Sequence, residues 1–129
     1  MKRILIVDDS ITARMFIKRC LEIAGCQDAH FMEAANGKDA LALLKSEPAD
    51  FVVADINMPV LDGIGLLRWI KSSPKLNMLP VVIISSASNP AQDQELLSLG
   101  AYAVLQKPIS PPQLRAVIGG LIESPVEEE

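Results

Sequence analysis

The sequence predicts an α/β domain built on an open, doubly wound parallel sheet. Two observations carry this. Short apolar runs recur five times along the chain, four of them apolar at every position as strands covered on both faces require, and the second broken by Glu33. Each run is followed by a segment whose apolar residues recur at intervals of three and four, the mark of a helix with one buried stripe. Strands alternating with helices over short connections give parallel strands with right-handed crossovers. A chain of 129 residues is too short for an eightfold barrel, which leaves the open sheet.

Ile4 to Val7 is the first run. Ala13, Phe16, Ile17, Cys20, Leu21 and Ala24 form the stripe of the first helix, with Arg14, Lys18, Arg19 and Glu22 on its polar side. Ser10 or Thr12 suits its cap and Gly25 its end. Phe31 to Ala34 is a weaker second strand, followed by an Asn36-Gly37 turn and a short helix over Lys38 to Lys45. Phe51 to Ala54 is the third strand, with a loop from Asp55 to Gly63 behind it. Leu66, Leu67 and Ile70 mark a helix that stops before Pro74 and carries Trp69 away from the strand ends. Val81 to Ile84 is the fourth strand. Pro90 fits the first turn of the next helix, which carries Leu96 and Leu97 and ends at Gly100. Tyr102 to Leu105 is the fifth strand. Pro111 and Pro112 open the last helix, with Leu114, Val117, Ile118, Leu121 and Ile122 on one stripe. These elements make one domain over residues 1–123, and 124–129 read as a short, acidic, disordered tail.

Half the residues are apolar and 22% are charged, enough for a core and too apolar for a disordered chain. A net charge of −4 argues against nucleic-acid binding through a broad basic surface. No stretch nears the roughly 18 apolar residues of a membrane span, and the N-terminal run ends at Asp8 and Asp9, too soon for a signal peptide. The expectation is a cytoplasmic protein with no membrane and no nucleic-acid partner. Cys20 and Cys26 are too few for a disulfide framework, and the lone His30 has no partner for metal binding or catalysis.

In open parallel sheets, ligands sit beyond the carboxyl ends of the strands. There the chain places Asp8 and Asp9 after the first strand, Asp55 after the third, Ser85 and Ser86 after the fourth, and Lys107 with Pro108 after the fifth. Each alone suits a helix cap or a solvated surface. Together they converge on one rim. Three neighbouring carboxylates repel, and a hard divalent cation such as Mg²⁺ relieves that best. Such an ion beside a free carboxylate oxygen suits phosphoryl transfer to the carboxylate, with an ammonium and a hydroxyl for the remaining phosphoryl oxygens.

Val7-Asp8-Asp9-Ser10, Asp55-Ile56-Asn57-Met58-Pro59 with Asp62-Gly63, Ser85-Ser86-Ala87 and Lys107-Pro108 together resemble the response-regulator receiver domain, most closely its stand-alone, CheY-like type. The resemblance runs from Arg3 to Leu121. It implies the flavodoxin-like fold: five parallel strands in the order 2-1-3-4-5 and five helices. It also implies that Asp55 is the phospho-acceptor, taking a phosphoryl group from the phosphohistidine of a sensor histidine kinase or phosphotransfer protein. Asp8, Asp9, Asp55 and the backbone carbonyl of Asn57 would hold Mg²⁺. Ser85 takes the place of the family's switch hydroxyl and Lys107 that of its lysine, and the Lys107–Pro108 bond matches the family's usually cis peptide. Such a protein is no enzyme beyond its own phosphorylation and dephosphorylation. A downstream protein target would meet the face of helix 4, strand 5 and helix 5, with Gln92, Glu95, Gln106 and Arg115 as candidates there. Chemotaxis-type output is expected, with a phosphorelay shuttle or a phosphate sink fitting the same residues. One departure stands out. The family often has an aromatic residue three positions before the lysine, and here it is Val104, with Tyr102 out of register. Output is therefore expected to rest on Ser85 and the loop after the fourth strand.

Three rival readings are weaker. A flavin-binding flavodoxin needs a phosphate loop where Asp8 and Asp9 would repel a phosphate. A phosphohydrolase with an aspartyl-phosphate intermediate usually has a second acid where Asn57 stands, and a cap domain for which the chain has no room. A receiver-like module that never becomes phosphorylated would not need the full set of site residues, which is present.

Overall fold

The computed structural model describes residues 2–86 and 89–122. Strands β1 (Arg3–Val7), β2 (His30–Ala34), β3 (Phe51–Asp55), β4 (Val81–Ser85) and β5 (Ala103–Gln106) alternate with helices α1 (Ile11–Leu21), α2 (Gly37–Ser46), α3 (Gly63–Ser72), α4 (Pro90–Ser98) and α5 (Pro111–Ile122). The sheet order is β2-β1-β3-β4-β5, and every pair is parallel. The chain leaves β1 toward one edge and returns on its other side, so the order reverses between β1 and β3. That puts the switch point beside the ends of these two strands.

Alternate residues of each strand feed two cores. Val52 and Ala54 pack on one face with Leu44 of α2, Leu66, Leu67 and Ile70 of α3, and Leu96 of α4. Phe51 and Val53 pack on the other with Ile17, Cys20 and Leu21 of α1 and Leu114 and Ile118 of α5. This two-sided burial is why the strands read as unbroken apolar runs.

Side-chain caps start the helices. Ser10 Oγ accepts from the Ala13 N–H at 3.2 Å, Asp62 Oδ1 from Gly65 at 2.8 Å and Asn89 Oδ1 from Gln92 at 3.1 Å. Asn36 likewise accepts from Asp39 at 2.9 Å, so Asn36-Gly37 is the start of α2 and not a separate turn. Gly25, with φ of 123°, breaks the helical path within the wider turn Glu22–Cys26 that prolongs α1. Gly100, with φ of 105°, follows α4.

Other details differ from the sequence reading. Phe16, placed on the buried stripe, is 51% exposed, and Leu97 is also exposed. Asp55 and Ser85 are the last residues of their strands, not the first residues after them. Trp69 lies on the outer side of α3 as expected. Ala87 and the tail at 124–129 lie outside the described residues.

Candidate phosphoryl-acceptor and metal site

Strand register brings the site together. Val7 pairs with Ala54, so Asp8 and Asp55 each come one residue later, side by side. Asp55 pairs with Ile84 and Ser85 with Gln106, so Ser85 and then Lys107 continue the same rim. Asp8, Asp55 and Ser85 are the buried polar side chains among the described residues, and all three stand here. Burying polar groups is costly unless something compensates, so their gathering in one place marks a site and not a core.

Oxygens of Asp8, Asp9 and Asp55 lie within 4.8 Å of one another. Asp8 Oδ1 accepts a hydrogen bond from the Ser10 N–H at 2.9 Å, while Asp8 Oδ2 is buried with no hydrogen-bond partner among the described residues. Asp55 Oδ1 has Lys107 Nζ at 3.1 Å, an ion pair without a well-aligned hydrogen bond. Burial pushes the Asp8 carboxyl above the usual carboxylate range. The Ser10 N–H and Lys107 pull it back, and Asp55 and Asp9 push it further up. Two buried carboxylate oxygens short of donors, beside a third, exposed carboxylate, fit a hard cation with oxygen ligands that keeps part of its water shell.

The loop behind β3 is held at both ends. The Ile56 N–H donates to Ile84 O and the Gly63 N–H to Ile56 O, each at 2.9 Å. Asn57 lies between these anchors as exposed chain. A Cβ at Gly63 would fall 2.6 Å from the Asp55 carbonyl oxygen and 2.8 Å from Ile56 Cα, so only glycine lets α3 start against the end of β3. On the other side of the site the Lys107 N–H donates to Ser85 O at 2.8 Å, the Lys107–Pro108 peptide is cis, and Ile109 is buried beneath it.

Sequence reasoning missed Arg14. By helical periodicity it falls on the polar side of α1. In the structure it turns inward, with Nε 2.8 Å from Glu33 Oε1 and Nη1 donating to the Asp8 carbonyl at 2.6 Å. A cation six residues past Asp8, one turn into the following helix, is the hint the sequence offers.

The docking-face candidates divide. Gln106 Nε2 donates to Asp93 Oδ2 at 3.1 Å, linking β5 to α4. Glu95 instead pairs with Arg68 of α3 at 3.8 Å. Arg115, exposed on α5, donates from Nη1 to Ala24 O beyond α1 at 3.0 Å. Val104 is half-buried against the α2–α3–α4 core, and Tyr102 precedes β5 at the end of the sheet away from the site.

The family model for the response regulator receiver domain matches residues 4–119. The chemotaxis protein CheY of Pseudomonas aeruginosa is 36% identical over 121 residues, covering 94% of this chain and 96% of that protein. The chemotaxis protein CheY-3 of Vibrio cholerae is 36% identical over 121 residues, covering 94% and 92%. The structure of the chemotaxis response regulator CheY4 of Vibrio cholerae superposes with a TM-score of 0.82 at 29% identity, over 95% of this chain and 99% of that one.

Proposed function

Because this chain belongs to the response regulator receiver family of two-component signalling, we propose that it is switched by a phosphoryl group carried on Asp55. The observation that supports this best is the pairing of a buried Asp55 with Lys107 at 3.1 Å, beside the carboxylates of Asp8 and Asp9. Asp8, Asp9, Asp55 and the Asn57 carbonyl would hold Mg²⁺, which when bound neutralises part of the phosphoryl charge. A carboxylate oxygen of Asp55 attacks phosphorus in a donor phosphohistidine. The P–O bond forms, the P–N bond breaks, and the imidazole leaves and takes up a proton. Lys107 offsets charge on one phosphoryl oxygen, and the Ser85 hydroxyl meets another. The product is an acyl phosphate.

The donor would be a sensor histidine kinase or a phosphotransfer protein. Exposed Ile11, Met15 and Phe16 on α1 support a partner helix seated next to the rim. The downstream target would be a protein that meets the α4–β5–α5 face. Relatives named as chemotaxis proteins favour a chemotaxis-type output, which would put the protein in the cytoplasm. No helix among the described residues is long and apolar enough to cross a membrane.

The test is the intact mass after incubation with a small acyl-phosphate donor and Mg²⁺. One phosphoryl adduct is expected. It should be labile to hydroxylamine, fail to form with EDTA, and be missing in Asp55→Asn. An adduct that persists in Asp55→Asn would move the chemistry elsewhere, with Ser85 or Ser86 next in line.

A further inference from the structure

Asp8 and Asp9 share one peptide group, and its rotation would swing both carboxylates. Two other contacts hold this turn: the Asp8 N–H donates to Ala34 O at 3.1 Å, and Asp8 Oδ1 accepts from Ser10. Neither touches the carbonyl of the Asp8–Asp9 peptide. That carbonyl is the acceptor of Arg14 Nη1 at 2.6 Å. The guanidinium is planar, with its donors in a fixed fork. Pairing Nε with Glu33 Oε1 at 2.8 Å therefore sets the direction in which Nη1 points. The Arg14 side chain is 14% exposed and that of Glu33 42%, so the guanidinium is largely sheltered while the carboxylate meets it from the solvent side. Arg14 thus reaches from α1 across the end of β1 to Glu33 on β2, with the shared peptide of the acidic pair beneath it.

We propose that Arg14, locked by Glu33, is a positioning residue for the cation site, holding the Asp8–Asp9 peptide so that both carboxylates face Asp55. This rests on reading the three carboxylates as the metal site. It makes a prediction opposite in sign to simple electrostatics. A guanidinium near a cation site repels the cation, so by charge alone its removal would tighten metal binding. If Arg14 sets the geometry of two ligands, its removal weakens binding, as loss of groups that orient metal ligands generally does.

The experiment is calorimetric titration of the purified, metal-free protein with Mn²⁺ and Mg²⁺, with the melting temperature of each variant measured without metal. Arg14→Met should weaken binding by about tenfold, within the range seen when groups behind metal ligands are removed. Arg14→Lys keeps the charge but reaches the carbonyl or Glu33 and not both, so it should fall between wild type and Arg14→Met. Arg14→Met that binds as tightly as wild type, or more tightly, overturns the proposal. Should Arg14→Met not fold, Arg14→Lys carries the test, and wild-type affinity in that variant overturns it equally. Absence of binding by the wild type removes the metal reading itself and the inference with it. Wild-type binding with an unaffected Arg14→Met removes the inference alone.

Discussion

Lys107 Nζ stands 3.1 Å from Asp55 Oδ1, on a carboxylate whose side chain is almost wholly buried, while the lysine stem remains partly in solvent. The pair joins the two sides of the rim, because Lys107 follows β5 and its N–H is held by Ser85 O at the end of β4. A change in charge at Asp55 is therefore felt directly by the segment that carries Lys107.

Lys107→Ala should leave the fold intact, since the lysine is partly exposed and its removal opens no cavity in either core. Asp55 should still be phosphorylated, but the modified protein should bind its target no better than the unmodified one. Partner pull-down with and without a stable acyl-phosphate mimic checks this. Normal phosphorylation followed by normal target binding in Lys107→Ala would show that the lysine does not couple the two.

Asp8 gives a dependence on pH. Its carboxyl titrates above the usual carboxylate range, chiefly because it is buried. The folded state then binds the proton more tightly than the unfolded chain does, so ionised Asp8 costs stability at neutral pH. Metal-free protein should recover that stability as the pH falls from neutral through the raised value toward the unfolded value, where the gain is complete. Asp8→Asn removes the buried charge and keeps an oxygen to accept from Ser10. It should raise the metal-free melting temperature at pH 7 by a few degrees, since about 1 kcal/mol shifts a domain of this size by roughly 3–6 °C. It should also flatten the pH dependence and abolish most of the stabilisation by Mg²⁺. Thermal melts from pH 7 to 4, with and without Mg²⁺, read all three. A melting temperature lower than wild type at pH 7 without metal would contradict the account.

The sequence makes the sheet legible because its three central strands, β1, β3 and β4, are covered on both faces. Unbroken runs such as Phe51 to Ala54 leave little else for the chain to be. The rim is legible for a related reason. Residues that follow buried parallel strands are confined to one end of the sheet, so Asp8, Asp55, Ser85 and Lys107 are neighbours once the strands are counted. What periodicity conveys poorly is the direction in which a long polar side chain turns. Arg14 lies off the apolar stripe yet folds back over β1, because Glu33 and the Asp8 carbonyl offer its donors better partners than water. Arg115 and Glu95 show the same thing: each stands on an element of the expected docking face, and its side chain reaches toward another element. Phe16 fails differently. It fits the helical stripe, yet the two cores are filled without it, and it stays half in solvent beside the site.

Gly63 and Gly119 should respond to the same substitution with opposite signs. Both are helical, and on helix propensity alone alanine would be favoured at each by up to about 1 kcal/mol. In α5, a Cβ at Gly119 meets nothing within 4 Å among the described residues, so Gly119→Ala should stabilise by a fraction of that amount. At Gly63 the Cβ meets the Asp55 carbonyl oxygen at 2.6 Å and Ile56 Cα at 2.8 Å. Both are backbone atoms, so no side-chain rotation relieves the contact, and either α3 or the end of β3 has to move. Overpacking of this kind costs about 1–3 kcal/mol, which outweighs the gain in propensity. Gly63→Ala should therefore lower the urea midpoint with little change in slope. Because the clash is with Asp55 itself, the variant should also slow labelling by a small acyl-phosphate donor under conditions where it remains folded. Gly119→Ala should label at the wild-type rate. Loss of stability in Gly63→Ala with an unchanged labelling rate would mean that α3 yields and the acceptor strand stays in place.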